Sequence, residues 1–225
     1  MQRKCVQIAI SLVALAVACG AALGAQTPAA QNTATRKSAA EREMAETDAA
    51  ASFYRTFTGS TEGHGTKQTP SNAFGAMFEL RHIQSPLVGY EAFYSFNGAN
   101  QGLQPEPGAC GYLCANVPET VTTNANQVGL DWIASMKRGN ISPFALGGLG
   151  FFIAVPTQNE PTLNTVVRIM YTYGAGLDVG LFPHAGLRIQ YRDNLYKAPD
   201  VDETYGATDT FTQTGEATVG VYFPL

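Results

Sequence analysis

"YTYGAGLDVGLFPHAGLRIQYRD", residues 171–193, is apolar enough for a protein core, yet it carries Asp178, Arg188, Gln190 and Arg192 at regular intervals. Side chains on a β-strand point alternately to opposite faces. Read from Val167, one set is Val167, Ile169, Tyr171, Tyr173, Ala175, Leu177, Val179 and Leu181. The other is Arg168, Met170, Thr172, Gly174, Gly176, Asp178 and Gly180. After Phe182-Pro183-His184 the alternation resumes, with Ala185, Leu187, Ile189 and Tyr191 opposed to Gly186, Arg188, Gln190 and Arg192. A soluble sandwich would turn the apolar face inward and leave the charged face in water. A transmembrane barrel would do the opposite, apolar toward lipid and charged toward its own interior.

The same pattern recurs along the chain. Phe74, Ala76, Phe78 and Leu80 oppose Gly75, Met77, Glu79 and Arg81; Val88, Tyr90, Ala92, Tyr94 and Phe96 oppose Gly89, Glu91, Phe93, Ser95 and Asn97. Val128, Leu130, Trp132 and Ala134 oppose Gln127, Gly129, Asp131 and Ser135, with Ile133 as an exception. Ala217, Val219, Val221, Phe223 and Leu225 oppose Glu216, Thr218, Gly220 and Tyr222. Two further segments, "ASFYRTFTGS" and "ISPFALGGLGFFIAV", are strand-like, but their composition does not assign their sides. About eight strands result, each near the ~9–11 residues a tilted spanning strand requires.

The connections alternate in length. Short turns fall at residues 82–86, 137–140 and 182–184; long, polar, Gly/Pro-rich stretches fall near 60–70, 100–119, 156–161 and 197–209. This asymmetry belongs to an outer-membrane barrel with periplasmic turns and external loops. It also decides which face is inside. Glu79, Arg81, Glu91, Asp131, Arg168, Asp178, Arg188, Arg192 and Glu216 form a set of both signs. An Arg facing lipid at mid-depth costs about 2–4 kcal/mol. Turned inward these groups pair, and eight strands enclose an interior that side chains can fill. Asp178 and Arg188 are the expected partners, because their strands adjoin through the 182–184 turn. The expected fold is therefore all-β: an eight-stranded antiparallel up-and-down transmembrane β-barrel, preceded by a signal peptide and a disordered N-terminal tail.

The ends agree with export. Arg3 and Lys4 precede an apolar run from Ile8 to Ala18 and small residues up to Ala25, which reads as a signal peptide over 1–25, cut after Gly24 or Ala25. Ala16-Val17-Ala18-Cys19 leaves lipidation of Cys19 open as an alternative. Residues 26–50 hold almost no large apolar side chain and read as a flexible periplasmic linker, which places the barrel at 51–225. Removing Arg3 and Lys4 leaves 12 basic side chains against 18 acidic ones, without a basic cluster, so nucleic-acid binding is disfavoured. Cys110 and Cys114, so close together in an exported chain, read as a disulfide that pins a loop.

"SPFALGGLGFF" and "GAGLDVGLFPHAGLRIQYRD" give the chain a further likeness. Over 51–225 it resembles the small outer-membrane β-barrels of the OmpA-like and OmpX-like type: the first stretch is similar to that family's proline-aromatic strand with Gly-x-Gly, the second to its paired strands with an interior Asp and Arg. The family's last strand usually ends on an aromatic residue, whereas this one ends Phe223-Pro224-Leu225. The resemblance implies a monomer in the bacterial outer membrane, in contact with lipid and lipopolysaccharide, inserted by the barrel-assembly machinery and needing no cofactor. It implies an anchoring or interaction role, with four external loops that an extracellular ligand would meet. Two alternatives stand beside it. Lipid A-modifying barrels use His and Ser near the outer rim, and His64 is the one histidine expected outside; a small-conductance channel is the other. The acidic fourth loop, with Asp200, Asp202, Glu203 and Asp209, offers too few ordered ligands for calcium.

Overall fold

The computed structural model describes residues 46–63, 65–105, 119–202 and 208–225. These form ten strands: β1 (Glu46–Thr58), β2 (Thr61–Gly63), β3 (Thr66–Pro70), β4 (Phe74–Ser85), β5 (Val88–Pro105), β6 (Glu119–Ser135), β7 (Ile141–Pro156), β8 (Val166–Phe182), β9 (Ala185–Lys197) and β10 (Phe211–Pro224). Eight of them make the wall. β4 through β9 each pair antiparallel with the next in sequence, and β1 closes the cylinder between β4 and β10. The alternation in the sequence thus yields the expected eight-stranded antiparallel barrel.

The connections after β4, β6 and β8 are short and lie at the end where β1 begins and β10 finishes, as the pairings Asp48 with Pro224 and with Arg81 show. In the β6–β7 turn Gly139 adopts a φ of 64°, which a Cβ would strain. The longer connections lie at the opposite end, here called the loop end.

Three features differ from the sequence reading. β1 begins at Glu46, five residues inside the stretch assigned to the linker. Its first residues carry few large apolar groups because Asp48, Ala50 and Ser52 point into the barrel and need none. The 60–70 stretch is not simply a loop: β2 and β3 form a hairpin, and β3 extends the sheet along the far end of β5, pairing Thr66–Pro70 with Pro105–Gln101. Consequently β5 runs to Pro105, beyond the expected strand end near Asn97. Residues 1–45, His64, Cys110, Cys114 and Glu203 lie outside the described residues.

The polarity of the wall is inverted relative to a soluble protein. Phe53 is 75% and Phe74 76% exposed, and Phe78, Leu130, Ile169, Ile189 and Val219 also face out. Arg188, Arg192, Glu91 and Glu216 are fully buried. The two strands the sequence left unassigned are resolved by packing. In β1, Asp48, Ser52, Tyr54 and Thr56 point inward while Phe53, Arg55 and Phe57 point outward. In β7, Phe144, Leu146, Phe152 and Ala154 point inward and Leu149 and Phe151 outward. Gly148 lies on the inner face by the same alternation, and a Cβ there would meet the Asp131 carboxylate and the Leu130 carbonyl.

Inside, the barrel is layered. Near the short turns Ile83, Ile133, Phe144 and Leu146 make a small apolar cluster, which explains the exception at Ile133. Charged and then amide and hydroxyl side chains occupy the middle. Toward the loop end Phe93, Leu103, Val121, Phe152, Met170, Tyr196 and Val201 make a second apolar cluster, with Phe152 stacked on Tyr196 at 4.3 Å.

Ile189 sits outward at the centre of β9. Ile189→Arg is expected to lower unfolding stability in lipid vesicles by about 2–4 kcal/mol, whereas Leu87→Arg, in the β4–β5 turn, is expected to cost under about 1 kcal/mol. Denaturant titrations of the two variants compare the depths directly.

Candidate functional site

Three guanidiniums organise the barrel's middle. Arg188 sits opposite Asp178 on the neighbouring strand and grips it with both ends of its fork, Nε to Oδ1 at 2.8 Å and Nη2 to Oδ2 at 3.0 Å. The same Nη2 donates to Asp48 Oδ1 at 2.9 Å. Arg81 donates to Glu91 Oε2 from Nε at 2.7 Å and reaches across to Asp178 Oδ2 from Nη1 at 3.0 Å. Arg192 donates to Glu91 Oε1 at 2.6 Å, and its Nη1 lies 3.1 Å from Asp131 Oδ2.

Neutral side chains supply further contacts to the acids. Gln190 and Ser52 donate to Glu79, whose carboxylate lies 3.6 Å from Arg188. Thr172 donates to Asp131. Glu216 makes no ion pair among the described residues; Gln127 donates to its Oε1 at 2.6 Å, and Asn194 donates to Gln127 in turn at 3.0 Å. Aromatic faces complete the guanidinium surroundings, with Arg81 4.0 Å from the Phe144 ring centre and Arg192 3.9 Å from that of Phe93.

Asp48 belongs to this network although the sequence reading placed it in the linker. The only available signal was its alternation with Ala50 and Ser52, which is weak in so alanine-rich a stretch. Arg168 does not belong to it. It shares a face with Asp178 but stands ten residues away, about 33 Å along an extended strand, so it reaches the loop end. There its Nη2 donates to Asp200 Oδ2 at 2.7 Å, both side chains partly exposed.

The long connections are tied to one another. Gln68 of β3 donates to the Pro199 carbonyl at 3.0 Å, Thr210 to the Glu62 carbonyl at 3.1 Å, and the Asn164 amide to the Val201 carbonyl at 2.9 Å. With the Arg168–Asp200 pair they draw the β9–β10 connection over the barrel mouth. Beneath it lies a cavity of about 30 Å³ lined by Thr56, Gln101, Gln127 and Thr214 together with the apolar Ala125 and Phe152. At the other end a recess of about 200 Å³ is bounded by Glu46, Asp48, Arg81 and Asp178. Between the two lie Arg81, Arg188 and Arg192, at most 1% exposed. Among the described residues no group of three or more His, Cys, Asp or Glu side chains is placed to hold a metal ion.

One carboxylate faces outward. Asp193 follows Arg192 and therefore emerges on the opposite face, where it is nonetheless buried. Tyr173 donates to its Oδ2 at 3.1 Å, and Gln213 donates both to that oxygen and to Tyr173 at 3.0 Å. The alternation of β9 carries this placement, since Asp193 continues the outward series of Leu187, Ile189 and Tyr191.

Solved structures share this architecture. Over 81% of this chain and 97% of theirs, the coordinates superpose on the outer membrane protein OprG from Pseudomonas aeruginosa with a TM-score of 0.57 at 12% identity. Over 79% of this chain and 96% of theirs, they superpose on Neisserial surface protein A with a TM-score of 0.54, again at 12% identity. No protein-family model matches the sequence, and no curated protein sequence matches it. The chain has the fold of the small outer-membrane β-barrels.

Removing Arg188 leaves Asp178 and Asp48 short of a buried partner, which costs about 3–5 kcal/mol, while removing the part-exposed Arg168 costs at most about 1 kcal/mol. Arg188→Met is expected to lower the unfolding midpoint in detergent strongly and Arg168→Met only slightly. Equal effects would contradict the difference in burial.

Proposed function

We propose that this chain is an integral protein of the bacterial outer membrane whose barrel anchors it there, presents the long connections to the exterior and forms no open pore. The inverted polarity of the wall carries this reading. A surface studded with Phe53, Phe74, Phe78, Ile169 and Ile189 is stable only against lipid, and the interior charges have one another. The two compared structures are described as a surface protein and an outer membrane protein. The short turns then lie in the periplasm and the loop end outside the cell.

The interior supports anchoring over transport. Aqueous porins use ~16–18 strands, whereas eight enclose only enough room for side chains. The buried arginine layer separates the recess at one end from the small cavity at the other. Most of the interior acids serve as partners for these arginines and Glu216 is held by Gln127, which supports a non-enzymatic reading. Presentation is the role left to the loop end, where β2–β3 and the tied connections form a firm platform for an external ligand. The barrel-assembly machinery inserts the chain, and the spacing of Cys110 and Cys114, which lie outside the described residues, supports a disulfide between them.

The mature protein is expected to migrate differently in detergent gels before and after boiling, and to give no large, long-lived conductance in planar bilayers. A stable large conductance would replace the anchoring role with a channel, and altered lipid A acylation dependent on His64 would replace it with an enzyme. Protease added to intact cells is expected to cut within residues 101–119 more readily after reduction. Cleavage only once the outer membrane is opened would reverse the orientation.

A further inference from the structure

Arg55 is the exception on the lipid-facing wall. It lies in β1 between Phe53 and Phe57, on the outward face, and its side chain is exposed. Among the described residues no carboxylate lies within ion-pair distance of it. Instead two aromatic rings hold it: its guanidinium carbon is 5.6 Å from the centre of the Phe57 ring and 5.5 Å from that of Phe74, the residue opposite it on β4. Such contacts orient a guanidinium through its faces and leave the N–H groups along its edge available.

The depth of Arg55 follows from the register. At the turn end of the same strand pair, Thr47 and His82 face outward opposite one another and share a hydrogen bond of 2.8 Å, which marks the polar boundary on that side. Arg55 stands eight residues further along β1. At about 3.3 Å per residue and a tilt near 40° the rise is about 20 Å, against an apolar band about 25 Å tall. Arg55 therefore sits just inside the outer boundary of the hydrocarbon, at the level of the aromatic girdle, where lipid headgroups begin. The only outward acid described near this level, Asp193, lies on β9 beyond β10, and its carboxylate is engaged by Tyr173 and Gln213.

Resting on the membrane orientation proposed above, we infer that Arg55, clamped by Phe57 and Phe74, is a docking site for the phosphate of an outer-leaflet lipid. The guanidinium supplies a fixed fork of N–H donors matched to phosphate oxygens, and Phe53, Phe57 and Phe74 flank it with apolar surface for the acyl chains. A phosphate also neutralises a cation that this wall carries outward with no carboxylate partner among the described residues.

The test uses the full mature chain in detergent, with lipid retention read by native mass spectrometry. The probes are dioleoyl phosphatidic acid and dioleoylglycerol, which share their tails and differ in the phosphate. Phosphatidic acid is expected to be retained in preference to dioleoylglycerol, and Arg55→Gln to weaken that retention about tenfold, the loss of one charge-assisted contact. Arg55→Lys should restore part of it, and Phe74→Leu should weaken it to an intermediate degree. An excess of inorganic phosphate should not displace the lipid; displacement would mean a free-anion site and overturn the inference. Unchanged phosphatidic acid retention in an Arg55→Gln protein that still migrates heat-modifiably would also overturn it, leaving the membrane reading intact. Loss of heat-modifiable migration in the unaltered protein would instead overturn the membrane reading itself.

Discussion

The fork of Arg188 on Asp178, extended by its third contact to Asp48, is the constraint around which the barrel is arranged. A buried guanidinium is costly without a counter-charge, so its carboxylates must arrive from the wall at the right depth. Arg188 joins β9 to β8 and β1; Arg81 joins β4 to β5 and β8; Arg192 joins β9 to β5 and β6. Six of the eight wall strands are thereby linked across the lumen as well as along their edges. A slip of one residue in any of them would turn its charge toward lipid and strand its partner, so the same contacts that fill the barrel also select its register.

Shape follows from that choice. The guanidinium layer needs width at the middle of the barrel, and the facing wall provides it with glycine. Gly148 beside Asp131 and Gly174 beside Arg192 have no room for a Cβ. Phe93 and Phe144 then place their ring centres 3.9 and 4.0 Å from the guanidinium carbons of Arg192 and Arg81. Above this layer the interior turns to amides and hydroxyls and then to the Phe93–Phe152–Tyr196 cluster, which the β9–β10 connection covers with Val201. A rigid charged middle and a covered apolar top make the interior a scaffold for the loop end.

The outer surface obeys a complementary rule. Lipid tolerates no unpaired polar group at mid-depth, and the polar residues of the outward face lie near its edges. Asp193 is enclosed by Tyr173 and Gln213, and Thr47 meets His82 near the turns. Arg55 is held by rings at the outer edge.

Much of this was legible in the one-dimensional pattern, because the period of two in strands such as β8 and β9 is local: each backbone step reverses the side chain whatever the rest of the chain does. That period, with the short and long connections, determined the fold class, the eight strands of the wall and which face of most of them looks inward. It could not determine the sides of β1 and β7, whose alanine, glycine and phenylalanine residues suit either environment until Asp131 and Tyr54 take their places. Nor could it separate Arg168 from Arg192, which look alike on their strands, since depth along the barrel axis depends on strand tilt and on which strands meet. Asp48, the β2–β3 hairpin and the aromatic clamp on Arg55 were likewise decided by tertiary structure. In each case the partner comes from a distant part of the chain, and only closure of the sheet brings the two to the same height.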